Sequence, residues 1–499
     1  MQLIYLVASL VVSILWAFRL PYEWGSDFGG YYAGAMFTDD AYRLYSQYFD
    51  HKGPIYYVFL KVIGWFIGFG APQALFSLAL TSFIFFVSLV ILVGKKKKTL
   101  ATLVLVIATI SLAQQPTNAS IALFLASQIL FAYYFTNKYL ATSSLVDAAL
   151  AGFFATSAAM TRIDAIGYLI WVVGALLVRP IMTPEQGGNA LTKFRPIAVA
   201  VAAGVFLFVL VVLQMGLSLN EMFVANISFN NYYKNVVGGC FYCRSNHFLI
   251  LLKSGALFVI GYLLIETFKD FRNWILSKKL LKTLDEVSAQ RFYCDGASWT
   301  FIFVGVALWI YSGTDKDYHI YLVLLSIFVL VIRHGDKLLN GRILLAVSFS
   351  ALPFTQDYAK TVWQLVRYPE CLSQPFCLKS PALAYKDAVQ LMADGKFLVI
   401  IGGRGWPYVF ARQKPIVSLN DWWLYSNNTP FATPELQKQF EEVVNMKEGA
   451  EILIDKSLYN SDTGSPYLDK IREIYSVKSD LDYYLVLKKI NSVNYLVPK

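Results

Sequence analysis

The sequence predicts an α-helical polytopic membrane protein in two parts. A bundle of apolar helices fills residues 1–354, and a soluble α/β domain follows over 355–499. Three observations carry this reading. Of 499 residues, 57% are hydrophobic and only 15% charged, against roughly 45–50% apolar and 25% charged in soluble domains. The apolar residues come in runs of about 15 to 24, enough to cross a hydrocarbon core of about 30 Å. Beyond 355 charges appear throughout, and the apolar runs shorten to about five or six residues.

A membrane barrel is excluded, because it needs segments of about ten residues with alternating hydrophobicity. The formal charge of +10 would suggest nucleic acid in a soluble protein. Here much of the basic excess lies in short loops between spans, where it reports topology, and no nucleic-acid partner is expected. The first apolar run has no basic leader and no small-residue cleavage site before Arg19, so it reads as a retained helix.

About eleven spans are expected, near 2–18, 72–94, 99–113, 118–136, 142–160, 165–178, 196–218, 248–267, 297–312, 318–332 and 340–354. With a cytoplasmic N-terminus, the inner loops collect Lys95 to Lys98, Lys138, Arg179, Lys193 and Arg195. Further inner loops carry Lys269 to Arg291 and Arg333 to Arg342. The outer loops hold about half as many basic residues, as the positive-inside rule requires. Arg19, on the outer flank of the first span, runs against that pattern. The run Pro54 to Gly70 is short and has Lys61 at its middle, so it is assigned to an interfacial helix within the first outer loop, 19–71.

An odd number of spans places the C-terminal domain on the outer, extracytoplasmic side. Within it FLVII (397–401), EILI (451–454) and YYLVL (483–487) read as strands, and 384–393, 433–444 and 466–474 as helices. GGRG at 402–405 lacks the G-x-G-x-x-G spacing that brings amides to a pyrophosphate, so it is not read as a nucleotide site. Cys240, Cys243, Cys371 and Cys377 fall outside, where disulfides persist. They allow three pairings, of which the local one, Cys240 with Cys243 and Cys371 with Cys377, is the simplest. Cys240, Cys243 and His247 lack the fourth ligand and second close pair of a structural zinc site.

Ionisable groups are nearly absent from the spans, the exceptions Asp147 and Glu266 lying near span ends. A coupled transporter would keep such groups or broken helices near the midplane. The polar residues gather instead in outer loops. The first reads EWGSDFGGYYAGAMFTDDAYRLYSQYFDHKGP, and others supply TRIDA (161–165) and DKDYHIY (315–321). Gly25, Gly29 and Gly30 permit close approach of a chain or ligand around Asp27. Pro54 suits a first helical position, leaving His51 and Lys52 where a phosphate could be gripped.

Asp27 after the first span, the following YY-x-x-A and D-H-K-G-P at 50–54 resemble the first outer loop of the GT-C membrane glycosyltransferases. The nearest branch is that of protein O-mannosyltransferases and the lipid A aminoarabinose transferase. TRIDA resembles their R-x-[DE]-A segment, and DYHIYLVLL (317–325) their H-Y-rich segment opening a late span. The sequence departs from the pattern twice. Phe28 stands where many relatives of the mannosyltransferase branch carry glutamate, and Lys52-Gly53-Pro54 replaces K-P-P.

The resemblance implies a GT-C-like bundle in the cytoplasmic (inner) membrane. It also implies transfer of a sugar, with inversion, from a polyprenyl-phosphate-linked donor to a glycan, lipid or protein acceptor on the periplasmic side, lipopolysaccharide being one such glycan. Inversion needs one base, for which Asp27 is the candidate. The departing phosphate gains charge, which Lys52 first, then His51, Arg162, Lys316 and His319 would stabilise. Tyr31, Tyr32, Arg43, Asp164 and Tyr318 would orient substrate. No metal or other cofactor is expected, since fixed cations can neutralise the phosphate. A transporter or flippase of a lipid-linked saccharide is the alternative, and a non-catalytic scaffold a third reading.

Overall fold

The computed structural model describes residues 2–23, 27–39, 43–45, 48, 52–94, 98–113, 117–182, 190–228, 272, 286–312, 321–338, 356, 358–372, 374–377, 383, 385–393, 400–401, 405–413, 434–460, 466–482 and 484–490. The chain forms two compact units. One draws on Met1–Ala17, Leu78–Val211 and Tyr233–Trp363, and the other on Phe18–Ser77, Val212–Tyr232 and Gln364–Lys499.

Among the described residues four helices are long and apolar enough to cross a membrane: Leu3–Tyr22, Ala71–Val93, Ser120–Thr142 and Phe194–Met215. Helices also occupy the expected spans near 99–113, 142–160, 165–178, 297–312 and 318–332. Those expected at 248–267 and 340–354 lie outside the described residues.

The first unit is a helix bundle. Its helices include α1 (Gln2–Ala17), α5 (Lys98–Ala113), α6 (Ser120–Thr142), α7 (Leu145–Thr161), α8 (Ile166–Met182), α11 (Glu286–Ser312) and α12 (Tyr321–Leu338). Helix α6 is central and packs against α7, α8, α11 and α12. The α6–α7 turn follows from local chemistry. Ser143 takes a left-handed conformation at the end of α6, and the Ser144 hydroxyl then accepts the Asp147 amide at the start of α7. This hydroxyl cap satisfies an amide that has no partner within the helix. The Asp147 carboxylate in turn accepts from Lys138 Nζ at 3.0 Å and the Thr142 hydroxyl at 3.2 Å. A charge at a span end is thereby neutralised.

Two contacts fix the bundle's interior. Trp171 Nε1 donates to the Ala297 carbonyl and to the Thr300 hydroxyl, both at 3.0 Å, joining α8 to α11. Where α7 meets helix α9 (Ala190–Met215), a Cβ on Gly152 would strike the Ala200 backbone. Small residues permit such close helix approach in membranes, where apolar burial between helices adds little driving force.

Among the described residues the second unit contains the segment that follows the first helix and a four-stranded sheet. Strands β1 (Ile400–Ile401), β2 (Glu451–Asp455), β3 (Tyr475–Asp480) and β4 (Tyr484–Lys489) lie in the order β1-β2-β4-β3. The β1–β2 pair is parallel, and the β2–β4 and β3–β4 pairs are antiparallel. Leu453 sits opposite both Ile400 and Val486, and Ile452, Leu453 and Ile454 are all buried. Strand β3 is an edge strand with its outer residues exposed. Three further helices are α13 (Lys386–Ala393), α15 (Pro434–Val444) and α17 (Pro466–Ile474), matching the three expected from periodicity. The buried Lys489 ammonium donates to the carbonyls of Val444 and Met446, and the Tyr475 hydroxyl to that of Val443. The bonds to Val443 and Val444 engage carbonyls of the last turn of α15, and the bond to Met446 one just beyond it.

Candidate active site

The segment between the first helix and α4 (Ala71–Val93) is built on two helices, α2 (Phe28–Phe37) and α3 (Ile55–Ile67), which pack together. Helix α2 reads FGGYYAGAMF. Each glycine costs about 1 kcal/mol of helix stability relative to alanine, so propensity does not explain it. Tertiary contacts do. Tyr31, Tyr32, Tyr45, Tyr48, Tyr56 and Tyr57 are all buried around it. Gly34 leaves room for the rings of Tyr48 and Tyr57, which a Cβ there would meet at 2.9 and 2.6 Å.

Asp27 stands at the amino end of α2. Its carbonyl accepts the amides of Gly30 at 3.0 Å and Tyr31 at 3.2 Å, so its backbone is tied into the first turn. Its side chain is exposed, does not cap the helix, and makes no hydrogen bond or ion pair among the described residues. The helix that carries the carboxylate is held on several sides. Tyr48 donates to the Gly30 carbonyl at 2.5 Å. Tyr32 shares hydrogen bonds with both the carbonyl and the amide of Gly70, at 3.2 and 3.1 Å, which ties α2 to the start of α4 (Ala71–Val93). Burial pushes the Tyr32 phenol up to about 12, offset in part by the Gly70 bond.

Lys52 is half-buried, and its carbonyl accepts the Tyr45 hydroxyl at 2.7 Å. Tyr45 itself has φ +75°, uncommon for a residue with a side chain. It closes a turn in which its amide donates to Tyr48 and the Tyr48 amide donates to Arg43. Pro54 is the residue immediately before α3, and its carbonyl accepts the Val58 amide at 3.1 Å. Helix α3 has 13 residues, about 20 Å, well short of a hydrocarbon core of about 30 Å. Lys61 turns inward to donate to the Thr38 carbonyl at 2.7 Å, while Val62, Trp65, Phe66 and Ile67 are exposed.

The C-terminal residues of the same unit complete the loop's packing. Helix α14 (Trp406–Ala411) packs on α2. Trp406 is fully buried, stacked on Tyr32 at 6.0 Å and 5.9 Å from the ring of Phe28. This accounts for an aromatic residue at position 28, where glutamate would place a charge among rings. Sequence reading overlooked Tyr45, Tyr48 and Trp406. The signal at hand was Gly405, weighed only as part of a nucleotide motif. The disulfide Cys371–Cys377 closes a short loop in this unit.

In the bundle unit, Arg162 follows the last residue of α7 and its guanidinium pairs with Asp164 at 2.6 Å, both side chains largely buried. Asp164 Oδ1 is buried and has no hydrogen bond among the described residues. His51, Lys316, Tyr318, His319, Cys240 and Cys243 lie outside the described residues. No cluster of three His, Cys, Asp or Glu that could hold a metal occurs among the described residues.

No protein-family model and no curated protein matches the chain. Among solved structures it is similar to ArnT from Cupriavidus metallidurans bound to undecaprenyl phosphate. That match has a TM-score of 0.50 at 12% identity, over 98% of each chain. The apo oligosaccharyltransferase of Archaeoglobus fulgidus gives 0.50 at 12%, over 95% of this chain and 73% of that one. At such identity the likeness is one of fold. This chain is a mostly helical, multi-pass integral membrane protein with the GT-C fold and a small C-terminal sheet.

Proposed function

We propose that this chain, which has the fold of ArnT and the archaeal oligosaccharyltransferase, is an inverting glycosyltransferase of the outer face of the cytoplasmic membrane. It moves a monosaccharide from a polyprenyl-phosphate carrier to a glycan, lipid or protein acceptor. The observation that carries this reading is the exposed Asp27 carboxylate, fixed through its own backbone to a helix packed in tyrosines. The undecaprenyl phosphate held by ArnT makes a carrier of that chemical class the natural donor to test.

In the proposed reaction the acceptor hydroxyl gives its proton to Asp27 as its oxygen bonds to the anomeric carbon. The bond from that carbon to the phosphate oxygen breaks, and the phosphate leaves with the electron pair. Lys52, held at its carbonyl by Tyr45, is the first candidate to meet the growing charge, with His51, Arg162, Lys316 and His319 as further candidates. Asp164 holds the Arg162 guanidinium in one orientation. Arg43 and the tyrosines at 31, 32 and 318 are assigned to positioning of substrate or of the loop itself. Residues 1–354, with about eleven spans, form the catalytic part, and 355–499 an extracytoplasmic domain.

The test is incubation of purified protein with a labelled polyprenyl-phosphate sugar and candidate acceptors. Release of free polyprenyl phosphate coupled to acceptor glycosylation supports the reading. Passage of intact lipid-linked sugar across a vesicle membrane, without bond cleavage, would support a flippase in its place.

A further inference from the structure

Helix α2 begins immediately after the residue proposed as the base, and it is a poor helix in isolation. Its first turn, Phe28-Gly29-Gly30-Tyr31, contains two adjacent glycines and has no side-chain cap. A turn of that composition frays unless something outside holds it. Gly405 does so by direct backbone contact. It has φ +81°, and a Cβ built there would fall on the Gly29 carbonyl and 2.8 Å from the Gly30 nitrogen. Only glycine meets both conditions. The next residue, Trp406, lies against Phe28 and Tyr32 on the same turn and stacks on Phe410 at 5.6 Å.

We propose that the Gly405–Trp406 corner is a positioning element for the reaction, setting the orientation of Asp27 by clamping the first turn of α2. The proposal rests on the reading of Asp27 as the base. The helix that Trp406 opens also packs against α13, which backs the corner from its far side. Misplacing a catalytic group by about 1 Å costs as much as 100-fold in rate. A defect here therefore acts on turnover rather than on donor affinity.

The experiment compares full-length wild type with Gly405→Ala and Trp406→Phe, and with Gly174→Ala as control, where an added Cβ meets nothing within 4 Å. Release of polyprenyl phosphate gives kcat and donor KM, and hydrogen exchange reads the amides of Gly30 and Tyr31. The expected result is kcat lowered about tenfold or more in Gly405→Ala and less in Trp406→Phe, with KM within about twofold and faster exchange at both amides. Gly174→Ala is expected to stay near wild type. A folded Gly405→Ala or Trp406→Phe protein with wild-type kcat and exchange overturns the proposal. If wild type itself releases no carrier, the enzymatic reading fails, and the exchange measurement alone decides whether the corner orders the turn.

Discussion

The hydroxyl of Tyr45, a residue held at φ +75°, donates at 2.7 Å to the main-chain carbonyl of Lys52. A fully buried residue with a left-handed backbone thereby fixes the main chain of the lysine proposed to meet the donor phosphate. Tyr45→Phe keeps the ring and removes the bond. The expected stability loss is about 1 kcal/mol, the usual net worth of such a hydrogen bond. Thermal unfolding in detergent gives that number, and donor KM is expected to rise as Lys52 loosens. No change in either would show that the turn holds Lys52 by other means.

The α7–α9 crossing depends on Gly152, which faces the Ala200 backbone with no room for a methyl group. Gly152→Ala is expected to destabilise the bundle by about 1–3 kcal/mol, the ordinary cost of overpacking. Gly174, where an added Cβ meets nothing within 4 Å, is the comparison site. Gly174→Ala is expected to leave the unfolding temperature unchanged or slightly raised. Equal effects at the two glycines would contradict the close crossing.

Burial pushes the Tyr475 phenol up to about 12 from an ordinary value of 10.0. The unfolded chain then loses this proton before the folded one does. The stabilisation is complete below pH 10 and is lost as pH rises through about 12. Tyr475→Phe is expected to lower stability near neutral pH by about 1 kcal/mol through loss of the Val443 bond. It should also flatten the decline between pH 10 and 12 relative to wild type. Parallel stability curves for the two proteins across that window would refute the assignment.

Much of the framework was legible because its cause is local. The apolar run expected at 72–94 is the helix Ala71–Val93, and EILI at 451–454 lies within β2. Periodicity likewise located the helix Pro466–Ile474. Strand β3, YSVKSD, escaped notice because it lies at the sheet edge with most of its residues exposed, so no apolar pattern marks it. It is held by pairing with β4 instead.

For the site, the carboxylate at 27 and the lysine at 52 could be singled out by residue type and neighbours. What holds them could not. Tyr45 in a left-handed conformation, Tyr48 on the Gly30 carbonyl and Trp406 on Tyr32 all arise from tertiary packing. The Trp406 contact joins residues far apart in the chain, and no spacing rule reports such a pair. The glycine at 405 was visible, but its purpose is legible only beside Gly29.

The central claim is that Asp27 accepts a proton from the acceptor while the sugar leaves a polyprenyl phosphate. The most direct measurement is the rate of polyprenyl phosphate release from a labelled donor by wild type and by Asp27→Asn, in the presence of acceptor. Because the Asp27 side chain is exposed and does not cap α2, Asp27→Asn is expected to fold and melt like wild type. The account predicts acceptor-dependent release by wild type and a fall of about 100-fold or more in the variant, the scale of general-base catalysis. A folded Asp27→Asn protein that releases carrier at the wild-type rate would contradict it.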